Sequence, residues 1–146
     1  MADQLIDAGW NRSRHVDLRQ RIANHIAANP SLYKDIIVMS SDTTSQIPSS
    51  EESNIIFSKY VDRISRPGEL GDAICILAFT RIVCRDVIVH VVDTKSNGLS
   101  NMKFEVPDDV VGRRGKACHL GWYPSVNGVE SGNHYFSILP PSYSSY

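Results

Sequence analysis

The spacing of apolar residues along this chain changes near Cys84, and this change restricts the possible folds more than any other feature of the sequence. Before that residue, apolar side chains recur every three or four positions, which is the spacing of amphipathic helices. After it come short β-branched or alternating runs, such as Val87–Val92 and Met102–Val106, which are typical of strands. Helices first and strands afterwards, without strict alternation, favour an α+β fold. In such a fold one mixed β-sheet from the C-terminal half packs against helices from the N-terminal half.

Two helices are predicted at the start of this pattern. Apolar residues at helical spacing run from about 15 to 28 and stop at Asn29-Pro30, because proline disfavours a helical residue before it. Pro30 can itself open a short second helix that continues through Ile37, since the first helical position needs no amide hydrogen.

Two more helices are predicted before the change of period. Ser49 and Glu52 have the spacing of a capping box, which predicts a third helix that ends at Arg66-Pro67-Gly68. Apolar residues resume the same spacing after that break. They predict a fourth, largely buried helix over about 70 to 84.

The second half of the chain is predicted to form strands. An Asn97-Gly98 turn signal separates the first two apolar runs, so these runs are predicted to form a strand, a turn and a strand. Two further strands are predicted at 117–123 and 135–139. We therefore expect a single domain over residues 1–140, followed by a C-terminal tail at 141–146.

The composition restricts the classes of partner. The chain has 16 acidic and 15 basic residues and a formal charge of -1, so nucleic acid is not expected as a partner. The chain has neither the roughly 18 apolar residues of a membrane span nor a signal peptide pattern, so we expect no membrane contact and a cytoplasmic location. Cys75, Cys84 and Cys118 are odd in number and lack the C-x-x-C spacing, which indicates reduced thiols. No cofactor is expected.

Three stretches, taken in order, resemble the ovarian-tumour (OTU) family of deubiquitinating cysteine proteases. The first begins with Ala2-Asp3-Gln4-Leu5 and continues along the helix behind it to Tyr33. The second is Arg66-Pro67-Gly68-Glu69-Leu70-Gly71, together with the helix and strand that follow. The third is Gly132-Asn133-His134-Tyr135-Phe136-Ser137-Ile138-Leu139, which resembles the strand that presents the family's catalytic histidine. The resemblance spans nearly the whole chain, and it implies a ubiquitin or ubiquitin-like partner.

The resemblance also implies a cysteine-protease site of which this chain holds one member. In the family the nucleophile lies in an Asp-Gly-Asn-Cys type turn a few residues ahead of the Ala-Asp-Gln-Leu-like segment, which here is before Met1. His134 is implied to be the base that takes the thiol proton, although spacing alone would make it an ordinary histidine. The residues expected to contact substrate beside it are Asn133, Tyr135 and Trp122. Phe136 stands where many members place an acid or amide that orients the histidine.

None of the three cysteines is expected to replace that nucleophile. Cys75 and Cys84 are nine residues apart on the predicted fourth helix and would lie on opposite faces. Cys75 is expected to be buried among apolar neighbours. Cys118 and His119 are adjacent in a predicted strand and would point to opposite sides of a sheet.

The remaining histidines do not suggest a site. His25 is interpreted as a surface residue of the first helix and His90 as a hydrogen-bonded core residue of a strand. The Cys and His spacings also lack the two close pairs that are usual in a tetrahedral zinc site. No metal is therefore expected.

Three functions remain open at this point. The chain can be an inactive OTU-like domain that keeps a surface for ubiquitin. It can be part of a longer polypeptide, a working deubiquitinase whose nucleophile lies outside these 146 residues. It can also be a protein-interaction module that shares only the α+β scaffold.

Overall fold

The computed structural model describes residues 15–41, 48–93, 98–112, 114–122 and 135–137. These residues belong to two compact units, His15–Ile82 and a second unit within Val83–Tyr146. The elements, in chain order, are α1 (His15–Ala28), α2 (Pro30–Ser40), α3 (Ser50–Ser65), α4 (Ala73–Val83), β1 (Val87–Asp93), β2 (Gly98–Phe104), β3 (Cys118–Trp122) and β4 (Tyr135–Ser137). Helices precede strands, which confirms the predicted α+β class. None of the described helices is long and apolar enough to cross a membrane.

The start of α3 confirms the predicted capping box. The backbone N–H of Glu52 donates to Ser49 Oγ at 3.3 Å, and the backbone N–H of Ser49 donates to Glu52 Oε2 at 2.8 Å. These two bonds satisfy amide groups that have no partner within the helix. They also lower the pKa of the Glu52 carboxyl, mainly through the backbone N–H of Ser49.

The fourth helix is shorter than the predicted 70–84. It begins directly after Asp72, because Asp72 Oδ1 accepts the backbone N–H groups of the second and third helical residues at 3.0 and 3.2 Å. It ends directly before Cys84, whose φ of 52° lies in the left-handed region. A residue in that conformation commonly ends a helix, although glycine usually occupies the position.

Each helix of the helical unit carries buried side chains, and α4 is buried on most of its circumference. Its most deeply buried large side chains are Phe79, Ile26, Ile64 and Ile76. Arg19 of α1 adds a polar link, because its guanidinium donates to the backbone carbonyls of Ile64, at 3.0 Å, and Glu69. Carbonyls at a helix end have no partner within the helix. Arg19 therefore fixes α1 to the end of α3 and to the turn that follows it.

The strands form one mixed sheet in the order β2-β1-β3-β4. β1 pairs with β2 in antiparallel and with β3 in parallel orientation, and β3 pairs with β4 in antiparallel orientation. The predicted mixed sheet is thereby confirmed, whereas packing of helices on it stays a prediction. Alternate residues of a strand share a face. One face of the sheet is buried and carries Val87, Val89, Cys118 and Leu120, each at most 1% exposed.

Asp86 organises the crossover that brings β3 beside β1. Its Oδ1 accepts the backbone N–H of Val106 at 2.9 Å, and its backbone carbonyl accepts the N–H of Cys118 at 2.8 Å. The bond from Val106 lowers the pKa of the Asp86 carboxyl, and Lys103, 3.3 Å from Oδ2, lowers it further. One residue thus connects both ends of the segment that links β2 to β3.

Candidate functional site

Two of the four predicted site residues meet at the junction of β3 and β4. Trp122 is the last residue of β3, and its backbone partner in the antiparallel register is Tyr135, the first residue of β4. The Trp122 side chain is half-buried. The other two, Asn133 and His134, lie outside the described residues. The pairing therefore fixes the backbone position of Tyr135, which directly follows His134 in the chain.

Cys75 is buried, as predicted, with 5% of its surface exposed. Its Sγ lies 3.6 Å from the hydroxyl of Tyr60. Burial raises the pKa of this thiol, and the neighbouring Asp72 carboxylate raises it further. A nucleophilic cysteine needs the opposite shift, towards the thiolate. Cys75 therefore has the environment of a structural residue.

The other two cysteines have separate environments in the sheet unit. Cys118 is completely buried beside Val87 in the parallel register, whereas His119 is only half-buried and contacts another histidine. The prediction that these neighbours point to opposite faces is confirmed. Cys84 lies just beyond α4, so its placement on the predicted fourth helix was wrong. A Cβ added to Gly112 would come within 2.7 Å of the Cys84 sulfur, which shows how closely the chain passes over this thiol.

The histidine that contacts His119 is His90 of β1, and this His90–His119 pair was not predicted from the sequence. Nε2 of His90 and Nδ1 of His119 are 2.9 Å apart, which is hydrogen-bonding distance. The ring planes lie within 16° of parallel, with their centroids 5.3 Å apart. One imidazole thus donates N–H to the lone pair of the other. The interpretation of His90 as hydrogen-bonded holds, but the residue is half-buried rather than in the core.

Sequence reasoning also missed a polar cluster in the helical unit. The hydroxyl of Tyr60 donates to Asp72 Oδ1 at 2.7 Å, and Arg63 Nη2 lies 3.4 Å from Asp72 Oδ2. The Arg63 guanidinium also lies over the Tyr60 ring, 5.2 Å from its centroid. Burial strongly raises the pKa of Tyr60, and the negative charge of Asp72 adds to the effect. Tyr60 therefore stays protonated and acts as a hydrogen-bond donor.

This cluster borders an open pocket of about 390 Å³. Ile37 and Ile56 contribute apolar surface to the pocket, and Lys59 contributes a cation. Asp72 is already engaged by Tyr60, by Arg63 and by the start of α4. The arrangement is typical of a structural network at a helix start rather than of catalysis, because its only thiol is disfavoured as a thiolate.

Comparisons with known proteins support the fold. No family model and no curated protein sequence matches this chain. A solved structure, the OTU domain of OTUD1, matches with a TM-score of 0.62 and 16% sequence identity. The match covers 95% of this chain and 76% of that chain. At this identity the likeness concerns the fold alone, and it shows that the chain has an OTU-like fold.

Proposed function

We propose that this chain is an OTU-like domain that binds ubiquitin or a ubiquitin-like protein through the junction of β3 and β4. The observation that carries the proposal is the pairing of Trp122 with Tyr135 within an OTU-like fold. His134, which directly precedes Tyr135 in the chain, is the proposed base of a cysteine-protease site. Asn133, Tyr135 and Trp122 are the proposed contacts to the bound protein.

We further propose that none of the chain's own cysteines is the nucleophile. The raised pKa of Cys75 opposes thiolate formation, and Cys118 has no exposed surface from which to attack a substrate. Cys84 is half-buried at a helix end beneath Gly112. Binding by residues 1–146 then occurs without cleavage by these thiols. A nucleophile carried by additional residues of a longer polypeptide would convert the same surface into a deubiquitinase.

A titration of isotopically labelled residues 1–146 with ubiquitin, followed by NMR and calorimetry, tests the binding surface. Trp122→Ala and Tyr135→Ala should each weaken binding by about tenfold or more, because aromatic residues commonly dominate protein interfaces. Leu99→Ala is the matched control. Leu99 is 67% exposed and lies on β2, at the opposite edge of the sheet from β4.

We expect ubiquitin affinity to fall in the two variants at the β3–β4 junction and to stay unchanged in Leu99→Ala. If ubiquitin and ubiquitin-like proteins leave the spectra unchanged, the chain is an interaction module for a different partner. If Leu99→Ala weakens binding as much as Trp122→Ala, the surface has been placed at the wrong edge of the sheet.

A further inference from the structure

We propose that the open edge of β2 is an interface at which two copies of this chain pair, strand beside antiparallel strand. β2 is the outer strand of the described sheet, next to β1 and farthest from β4. All five residues from Leu99 to Lys103 are exposed. This surface lies at the opposite edge of the sheet from the proposed ubiquitin-binding junction, so the two proposals are independent.

The hydrogen bonds of β1 show which backbone groups of β2 point away from the sheet. The carbonyl of Asp86, directly before β1, accepts the N–H of Cys118 on β3. Backbone groups of successive strand residues point to alternate sides, so the even-numbered residues of β1 bond to β3 and the odd-numbered residues bond to β2. The odd-numbered residues of β1 lie opposite even-numbered residues of β2, as Val89 lies opposite Met102. The odd-numbered residues of β2 therefore direct their N–H and C=O groups outwards.

These outward groups belong to Leu99, Asn101 and Lys103, and among the described residues they have no hydrogen-bond partner. Such an edge pairs with other strands unless a proline, a bulge or a charged side chain prevents it. β2 contains no proline, and its seven-residue register with β1 has no bulge. Its one charge, on Lys103, is offset by Glu105 at 2.7 Å and Asp86 at 3.3 Å. The edge is therefore open to a further strand.

A second copy fits this edge best in one register. Two identical antiparallel strands pair around a twofold axis, and sliding them changes which outward residues meet. With the axis beside Asn101, this residue meets its own copy, and Leu99 meets Lys103 of the other copy. All three outward residues then pair, which forms about six backbone hydrogen bonds. Sliding one copy by two residues leaves an outward residue of each β2 without a partner in the other β2.

The side chains that meet in this register are compatible. The amide of Asn101 has both donors and an acceptor, so it can hydrogen-bond to its own copy across the axis. The apolar stem of Lys103 covers Leu99, which is 67% exposed in the single chain. On the other face Met102, 41% exposed, meets Ser100 of the other copy. No like charges face each other, so an identical strand satisfies this edge and the occupant is a second copy of the chain.

Sedimentation equilibrium of residues 1–146 tests the interface. One strand pair is a small interface, so the expected dimer is weak and forms as the protein is concentrated from about 10 µM to about 1 mM. Asn101→Pro should weaken association by at least about tenfold, because it removes an outward N–H without removing a bond to β1. Val111→Ser is the control. Val111 is 97% exposed and lies outside the strands, so this variant should dimerise like the parent protein.

A mass that stays monomeric over this range would overturn the proposal, and so would association that Asn101→Pro leaves unchanged. Equal weakening by Val111→Ser would also overturn it, because the contact would then lie elsewhere.

Disulfide formation tests the register without a proline. Hydrogen-bonded residues of antiparallel strands have Cα atoms about 5.5 Å apart, which is within the range of a disulfide. Asn101→Cys should therefore form a disulfide-linked dimer under a mild oxidant. Leu99→Cys, equally accessible, should react at least about tenfold more slowly, because its two copies lie four residues, roughly 14 Å, apart along the interface. Equal rates in the two variants would overturn the proposed pairing.

Discussion

At the scale of single residues, His25 shows how a helix-surface position becomes a pH-sensitive contact. Sequence reasoning placed it on the surface, but it is half-buried and its Nε2 lies 3.0 Å from the hydroxyl of Tyr33. Tyr33 itself is only 2% exposed. Burial lowers the pKa of His25 below its ordinary 6.5, and the nearby positive charge of Arg81 lowers it further. The folded helical unit therefore favours the neutral imidazole.

The first prediction concerns the pH dependence of stability. Below pH 6.5 the unfolded chain takes up a proton at His25 more readily than the folded chain does. The contribution of His25 is therefore fully present above the unfolded pKa, and it is lost as the pH falls from there towards the folded pKa. Urea unfolding at several pH values between 7.5 and 5 should show a smaller loss of stability on acidification for His25→Gln than for the parent protein. Equal losses in the two proteins would contradict this account.

At the scale of elements, the helix starts differ in what supports them. The start of α3 is capped by Ser49 and Glu52, which are three residues apart and readable from the sequence. The start of α4 depends on Asp72, which the prediction of a helix over about 70 to 84 placed inside that helix and did not connect to Tyr60 on α3. A local motif and a tertiary contact thus perform the same task, which is to satisfy amide groups at a helix N-terminus.

The second prediction concerns this start of α4. Asp72→Ala should destabilise the protein by about 1–2 kcal/mol, because two backbone N–H groups lose their acceptor. Asp72→Asn should cost less, since its amide oxygen can still accept those bonds. Asp35→Ala, at an exposed carboxylate of α2, is the control and should change stability by about 0.5 kcal/mol at most. Denaturant unfolding monitored by circular dichroism measures all three.

A double-mutant cycle separates the cap from the tertiary contact. If the 2.7 Å bond between Tyr60 and Asp72 contributes, Tyr60→Phe and Asp72→Ala should be non-additive by about 0.5–1.5 kcal/mol. Strict additivity would show that Asp72 acts only as a cap.

At the scale of the whole molecule, the third prediction concerns activity and rests on the proposed function. Residues 1–146 should not cleave ubiquitin conjugates, and a ubiquitin electrophilic probe should not label Cys75, Cys84 or Cys118. The reason is that a histidine base has no effect without a thiol to deprotonate, because such groups act as a unit. Adding a segment with an Asp-Gly-Asn-Cys turn ahead of Met1 should produce cleavage that His134→Ala abolishes. Labelling of any of the three internal thiols in the unextended chain would contradict the prediction.

Most of the helices could be predicted from the sequence because their signals are local. The bounds of α1 and α3 and the start of α2 follow from apolar spacing, from Pro30 and from the Ser49–Glu52 box. The end of α2 does not, because the helix runs to Ser40, three residues beyond the predicted Ile37. Each signal involves residues within about four positions of one another, which are neighbours in any helix regardless of tertiary contacts. β1 was predicted for the same reason, from a β-branched run. The burial of Cys75 also followed from its apolar sequence neighbours.

The tertiary structure alone decided which distant residues meet. The sequence indicated that β1 and β3 are strands, but not that they pair in parallel with Ile88 opposite His119. That register depends on the crossover secured by Asp86, and a shift of one residue would move His119 to the other face. The His90–His119 pair and the Tyr60–Asp72 contact therefore have no sequence signature, because hydrogen bonds across 29 and 12 residues form only after packing sets the distance. Local periodicity determined the elements, and non-local pairing determined the sites.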